Sequence, residues 1–133
     1  MRLVLDTNVI ISAFINPNGI PSGILKLILQ HEAEICFNTV ILSEYESVAL
    51  RRKFSSKIEP GIISRFINLI RNIGYSFDPV PGKIKMPDIS DRIFYDTAKG
   101  SGSVLITGNI KHYPKESFIM LPVDFIKKLN FKK

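Results

Sequence analysis

Several residue types and patterns are scarce in this chain of 133 residues, and each scarcity excludes a class of protein. The single cysteine, Cys36, rules out an internal disulfide and any zinc site built from several cysteines. The two histidines, His31 and His112, are too far apart in sequence to suggest a histidine-rich metal site. No apolar run approaches the roughly 18 residues that span a bilayer, and the first residues do not resemble a secretory signal. We therefore expect a cytoplasmic protein that does not enter a membrane.

The residues that are present describe a folded and basic domain. Hydrophobic residues make up 45% of the chain and charged residues 23%, which is typical of a globular protein. The length suits a single core, so we interpret residues 1–133 as one domain. The formal net charge of +6 favours a polyanionic partner such as nucleic acid, because binding releases counterions, but charge alone is a weak indicator.

Short apolar stretches alternate with helical patterns along the chain. We expect strands over residues 3–5, 34–37, 75–77, 103–107 and 118–121. We expect helices from Val9 onwards and over residues 24–31, about 39–52, 62–72, 91 to 100 or 102, and 123–129. Turn formers or charged residues separate them, chiefly over 16–23, 51–57 and 78–88. This alternation predicts a three-layer, Rossmann-like α/β/α sandwich with a mainly parallel sheet of about five strands.

Asp6 directly follows the first predicted strand and precedes the first predicted helix. Open parallel α/β sheets bind their ligands at the carboxyl ends of the strands, which makes Asp6 a candidate for chemistry. The competing interpretation is that Asp6 or Thr7 only caps the helix, because both residue types do so readily. The decision depends on whether other carboxylates converge on the same edge of the sheet.

Five further acids follow the later strands. Glu44 and Glu46 lie on opposite margins of the buried face of their predicted helix, and periodicity does not choose between them. Asp91 continues the buried stripe of its helix, whereas Asp96 points away from that stripe. Asp88 precedes the helix and suits a cap, and capping is also the alternative role for Asp91.

Together, Asp6, Glu44 and Asp91 can form an all-oxygen cluster at one edge of the sheet. Three carboxylates in close proximity repel one another strongly unless a cation lies between them. Oxygen ligands without cysteine or histidine select Mg²⁺ or Mn²⁺. Such a metal suits the attack of an activated water on a phosphodiester. The cluster therefore predicts a metal-dependent phosphodiesterase.

The order and spacing of these motifs resemble the PIN domain family, specifically the PIN-type toxins of toxin–antitoxin systems. The first motif is an apolar strand followed by Asp6, Thr7 and Asn8. The segment 39–44, which ends at Glu44, resembles the second acidic motif and favours Glu44 over Glu46. The third motif and its following strand are matched by Asp88-x-x-Asp91-Arg92-x-Phe94-x-x-x-Ala98 and by Val104-Leu105-Ile106-Thr107-Gly108.

The resemblance implies a Mg²⁺- or Mn²⁺-dependent endoribonuclease that acts on RNA. It also implies a protein that is often a homodimer and is often neutralised by an antitoxin encoded beside it. Asp6, Glu44 and Asp91 would then bind the metal, and Asp88, ahead of Asp96, is the candidate for a fourth acid. The side chains expected to orient these ligands are Thr7, Asn8, Thr107 and Asn109.

One departure from the family pattern favours an alternative function. Many relatives have Thr-Gly-Asp where this chain has Thr107-Gly108-Asn109, and the amide of Asn109 brings no charge. Without that charge, the binding of a second metal ion and tight binding of the first are both less favourable. The alternative is a PIN fold with weak catalysis that binds RNA or a protein partner.

The basic loop after Asn109 allows two interpretations. Lys111, His112 and Lys115 could bind phosphate groups of a nucleic acid, or they could lie in a solvated connection. Two other ligand-binding classes fit poorly. A phosphoacceptor receiver domain needs an acceptor aspartate after a central strand. The second and third predicted strands are followed by Asn38 and Asp78, and the Asp78-Pro79 context fits that role poorly. A dinucleotide site needs Gly-x-Gly-x-x-Gly after the first strand, and that pattern is missing there.

Overall fold

The computed structural model describes residues 1–59 and 61–131. Within them, five strands are present: β1 Arg2–Leu5, β2 Glu34–Phe37, β3 Tyr75–Ser76, β4 Val104–Ile106 and β5 Ile119–Met120. The α-helices are α1 Thr7–Ile15, α2 Ile20–Leu29, α3 Thr39–Ala49, α4 Arg52–Ser55, α5 Ile62–Ile73, α6 Arg92–Ser101 and α7 Pro122–Phe131. Short 3₁₀ turns cover Ile89–Asp91 and Ile110–His112. None of these helices is long and apolar enough to cross a membrane.

The five strands form one sheet in the order β3-β2-β1-β4-β5, and every neighbouring pair is parallel. β1 is the central strand, and its residues Leu3, Val4 and Leu5 are completely buried. A strand covered by helices on both faces needs apolar side chains at successive positions, which explains why these residues do not alternate with polar ones. The predicted α/β fold with a parallel sheet and flanking helices is confirmed.

Helix boundaries differ from the expected ones where Pro, Gly or charged residues occur. α2 begins at Ile20 rather than Ile24, because Pro21 occupies the first turn, where its missing N–H is not needed. α3 ends at Ala49 rather than near Arg52. The stretch 51–57, expected as a break, contains the short helix α4. These differences extend α2 and place a helical turn at the end of α3.

Asn38 fixes the start of α3 relative to two other elements. Its side-chain oxygen accepts a hydrogen bond from the Ile41 N–H at 3.0 Å, so Asn38 caps the first turn of α3. Its amide nitrogen donates to the Phe77 carbonyl at 3.1 Å and to Thr97 Oγ1 at 2.9 Å. One buried side chain therefore connects α3, which carries Glu44, to the segment after β3 and to α6.

The loop between β3 and α6 is held against α6 by Asp96 and Arg92. Asp96 accepts a hydrogen bond from the Gly82 N–H at 3.1 Å, and Arg92 donates to the Gly82 carbonyl at 2.8 Å. Asp96 was expected to point away from the buried stripe of its helix, yet it is only 7% exposed because this loop covers it. Asp96 is thus a loop anchor, and it holds the segment that leads to Asp88 and Asp91.

We predict opposite stability effects for two glycine-to-alanine substitutions. A Cβ at Gly74 would lie 2.8 Å from the carbonyl oxygens of Ile35 and Ile70, so Gly74→Ala must displace the backbone. We expect it to lower the free energy of unfolding by about 2 kcal/mol in urea titrations. Gly23→Ala is the matched control, because it lies inside α2 with open space around it. It should raise stability by about 0.5–1 kcal/mol, and equal effects of both would contradict the packing argument.

Candidate active site

A cleft of about 550 Å³ brings together the acids that follow β1, β2 and β3 along the chain. Asp6 follows β1, Glu44 lies in α3, and Asp91 ends the 3₁₀ turn before α6. All three line this cleft, together with the exposed Asp88. The parallel topology therefore places the predicted acids in one site, although their role as metal ligands stays a prediction.

Asp6 is the most firmly held of these acids and is only 4% exposed. Its Oδ1 atom accepts a hydrogen bond from the Thr7 N–H at 2.7 Å. Its Oδ2 atom accepts hydrogen bonds from Thr107 Oγ1 at 2.8 Å and from Tyr113 Oη at 2.9 Å. Both interpretations of Asp6 are therefore compatible with the structure, because one carboxylate caps the first turn of α1 and also lines the cleft.

The loop after β4 is attached to the start of α1 by side-chain to main-chain hydrogen bonds. The Asn109 N–H donates to Thr107 Oγ1 at 3.0 Å, and the Gly108 N–H donates to Asn8 Oδ1 at 2.8 Å. A Cβ at Gly108 would lie 3.0 Å from Asn8 Oδ1, so glycine permits this close approach. Thr107 and Asn8 thus hold the ends of β4 and β1 together, and Asn109 takes part through its main chain.

Two tyrosines that sequence reasoning did not single out hold the Asp6 segment. Burial, followed by the negative charges of Asp6 and Asp91, raises the pKa of Tyr113 well above its usual value, so its hydroxyl group stays protonated and donates. Tyr45 donates to the Leu5 carbonyl at 2.6 Å, and burial together with Asp6 also raises the pKa of Tyr45. In the sequence Tyr113 lies in a basic loop with no periodic pattern, so nothing indicated its contact with Asp6.

Asp91 has a buried carboxylate oxygen that forms no hydrogen bond. Burial, and then the negative charges of Asp6 and Asp88, raise the pKa of Asp91 from 3.8 to about 6, and His112 partly opposes this shift. His112 Nδ1 lies 3.3 Å from Asp91 Oδ2 but without hydrogen-bond geometry. Among the described residues, two buried side-chain oxygens have no hydrogen-bond partner, Asp91 Oδ2 and Thr7 Oγ1. Both residues line this cleft.

The donor set of the cleft suits a hard divalent cation. Glu44 is partly buried and faces the cleft, whereas Glu46 is exposed and lines a different depression beside α5. In the part of the chain that the structure describes, no group of three His, Cys, Asp or Glu side chains is close enough to enclose a metal. Carboxylates around an open cleft fit Mg²⁺ or Mn²⁺ better than Zn²⁺, because these ions usually keep several water ligands.

The cationic residues of the cleft differ from those expected. Arg51 and Lys53, at the junction of α3 and α4, line it, although their stretch was expected only as a charged break. Of the three basic loop residues, only His112 lines the cleft. Lys111 and Lys115 border a separate depression next to β5. The two cations most suitable for phosphate are therefore contributed by α4 and the residue before it.

The raised pKa of Asp91 predicts a pH-dependent stability in chelator. The folded state holds the Asp91 proton more tightly than the unfolded state, so the wild type loses stability as the pH rises from about 4 through 6. The free energy of unfolding of Asp91→Asn minus that of the wild type should therefore increase by about 1–2 kcal/mol between pH 4 and pH 7. The effect is smaller than the full shift implies, because water still reaches the carboxyl group. Thermal unfolding across this pH range measures it.

The pKa of Asp88 shifts in the opposite direction to that of Asp91, so Asp88 provides a comparison. Hydrogen bonds from the N–H and hydroxyl of Ser90 lower the pKa of Asp88, so its contribution to stability is present at neutral pH and lost on acidification. Asp88→Ala should therefore be most destabilising near pH 7. A difference between Asp91→Asn and wild type that stays constant from pH 4 to pH 7 would refute the electrostatic account.

Comparison with known proteins identifies the family. The sequence model of the PIN domain matches residues 2–111. The chain is 31% identical over 110 residues to Uncharacterized protein MJ1680 of Methanocaldococcus jannaschii, an alignment that covers 82% of this chain and 71% of the relative.

A solved structure of the same fold supports this relationship. A chain in the crystal structure of VapBC2 from Rickettsia felis, bound to a DNA fragment from their promoter, superimposes with a TM-score of 0.53. The match has 19% sequence identity and covers 84% of this chain and 90% of that one, so it shows a shared fold. With a family match that extends from β1 to the turn after β4, the chain belongs to the PIN domain family, whose members are generally nucleases.

Proposed function

We propose that this protein is a Mg²⁺- or Mn²⁺-dependent endoribonuclease whose reaction centre contains Asp6, Glu44 and Asp91. The observation that carries the proposal is the buried Asp91 Oδ2 atom, which has no hydrogen-bond partner and lies in the same cleft as Asp6 and Glu44. Buried polar atoms are nearly always hydrogen-bonded, and His112 Nδ1, 3.3 Å away, does not form a hydrogen bond with this oxygen, so its burial needs an explanation. A cation would give this oxygen a partner and would offset the repulsion between the carboxylates.

Each part of the cleft has a distinct task in this proposal. A bound divalent ion supplies Lewis acidity and an activated water for phosphodiester hydrolysis. Asp6 offers a rigid ligand oxygen, because Thr107 and Tyr113 fix its carboxylate. Glu44, partly exposed on α3, and Asp91, which precedes α6, would supply the other ligand oxygens. Arg51 and Lys53 would bind the phosphate backbone beside the reacting group.

RNA as the substrate rests on three observations of different kinds. The net charge of +6 favours a polyanion, and the position of Arg51 and Lys53 brings part of that charge to the cleft. The choice of RNA over DNA rests on the resemblance to PIN-type ribonucleases.

Asn109 favours the alternative of a weakly catalytic binding module, because it lines the cleft and contributes no charge.

We also propose that the protein acts as the toxin of a toxin–antitoxin pair and binds a cognate antitoxin. This rests on the resemblance of its motifs to PIN-type toxins and agrees with the fold shared with a chain of the Rickettsia felis VapBC2 structure. A homodimer and a cytoplasmic location stay predictions. Induced expression should slow growth with the wild-type chain and leave growth unchanged with Asp6→Asn.

Neutralising any one of the three proposed metal ligands should strongly reduce metal-dependent cleavage. We expect Asp6→Asn, Glu44→Gln and Asp91→Asn to reduce the cleavage rate of a labelled single-stranded RNA by at least about 100-fold in Mn²⁺ or Mg²⁺, because each removes a charged ligand oxygen. Parallel reactions with single-stranded and duplex DNA determine the substrate class.

Glu46→Gln is the matched control for these variants, since it removes the same charge from the same helix outside the cleft. It should cleave RNA at the wild-type rate. Cleavage by the wild type that persists in chelator would disprove the metal-dependent mechanism. RNA binding without cleavage in either metal would favour the alternative of a binding module.

The cations of the cleft should affect substrate binding rather than chemistry. We expect Arg51→Ala and Lys53→Ala to raise the KM for RNA and to weaken its dependence on salt concentration, because each variant loses about one phosphate contact. Arg52→Ala removes the same charge one position away, and Arg52 does not line the cleft. Equal effects of all three substitutions would show that net charge, rather than position, controls binding.

A further inference from the structure

We propose that Tyr113 is a positioning residue that, together with Thr107, occupies one oxygen of Asp6 and leaves the other available for a cation. The inference deepens the proposed function and rests on it. Tyr113 lies two positions beyond the stretch that matches the PIN domain model, which ends at residue 111. The role of Tyr113 is therefore argued from its hydrogen bond to Asp6 and its burial in this structure.

The hydrogen bonds of Asp6 are divided unequally between its two oxygens. Oδ2 accepts from both Thr107 Oγ1 and Tyr113 Oη, at 2.8 and 2.9 Å. Oδ1 accepts only from the Thr7 N–H at 2.7 Å. An ionised carboxylate oxygen has about two lone-pair sites, so Oδ2 is saturated and Oδ1 retains capacity. Oδ1 is therefore the atom that can bind an ion.

The two donors to Oδ2 belong to a single hydrogen-bonded segment. The Asn109 N–H donates to Thr107 Oγ1 at 3.0 Å, and Tyr113 directly follows the 3₁₀ turn Ile110–His112. The Tyr113 N–H donates to the Ile110 carbonyl at 3.2 Å, and its side chain is only 6% exposed. A buried ring on a closed turn places its hydroxyl with little freedom. Tyr113 can therefore prevent Asp6 from rotating its carboxylate.

The removal of this hydroxyl group should weaken metal binding more than folding. Hydrogen bonds that orient a metal ligand typically change metal affinity or activity by about 10–100-fold when they are lost. Tyr113→Phe keeps the ring in place and removes only the donor. One of the two restraints on Oδ2 remains through Thr107, so we expect a loss near the lower end of this range.

Tyr95→Phe is a matched control within the same chain. Tyr95 is also buried, and its hydroxyl also donates to a carboxylate, Glu116 Oε2, at 3.0 Å. Neither Tyr95 nor Glu116 lines the cleft. Both variants therefore lose one buried tyrosine hydroxyl that pairs with an acid, and only one of them loses it next to Asp6.

The experiment measures Mn²⁺ binding by calorimetry and RNA cleavage as a function of Mn²⁺ concentration. Tyr113→Phe should raise the Kd for Mn²⁺ and the half-saturating Mn²⁺ concentration about 10-fold, with little change in the KM for RNA. Excess Mn²⁺ should restore most of the cleavage rate. Tyr95→Phe should leave all three quantities at the wild-type values, whatever its effect on the melting temperature.

A metal-free measurement tests the contact itself. In chelator, Tyr113→Phe should lower the melting temperature of the wild-type chain but have much less effect in an Asp6→Ala background, because the acceptor is already absent. Equal effects in both backgrounds, or wild-type Mn²⁺ affinity in Tyr113→Phe, would overturn the positioning role alone. Failure of the wild-type protein to bind Mn²⁺ would overturn the proposed function and this inference together.

Discussion

The burial of one carboxylate at the end of the central strand constrains most of this structure. Asp6 is 4% exposed, and a buried charge is strongly destabilising unless hydrogen bonds replace the lost water. Its donors come from the first turn of α1, the end of β4 and the loop after it, at Thr7, Thr107 and Tyr113. The segments that close the fold around β1 are therefore the segments that shape the cleft, so stability and site geometry depend on the same contacts.

Asp91 lines the same cleft as Asp6 but differs from it in its hydrogen bonds. Asp6 has three donors, whereas Asp91 Oδ2 is buried without a hydrogen bond, and the negative charges of Asp6 and Asp88 raise the pKa of Asp91. The protein thus keeps one acid fully supported and leaves another electrostatically unfavourable. Local instability of this kind is common where binding or catalysis needs an unsatisfied group. Asp91 is held there because Arg92 and Asp96 anchor the preceding loop at Gly82.

The sequence predicts the features that depend on local pattern and on parallel topology. β1 and β2 are apolar runs, and the acids that follow β1, β2 and β3 line one cleft for topological reasons. Features that depend on distant partners were not predictable. Tyr113 contacts Asp6 across 107 positions, and Asp96 is buried by a loop without regular structure. α4 was missed because a short run of charged residues has no hydrophobic period.

The distribution of charge in the cleft connects metal binding to substrate binding. Four carboxylates line it, at Asp6, Glu44, Asp88 and Asp91, whereas Arg51 and Lys53 are its permanently charged cations. Without a divalent ion, these four carboxylates would repel a phosphate backbone even though the whole chain is basic. A divalent ion held by Asp6, Glu44 and Asp91 would therefore offset this repulsion as well as supply Lewis acidity for the proposed reaction. In the proposed function, Arg51 and Lys53 would bind the phosphate backbone beside the carboxylates.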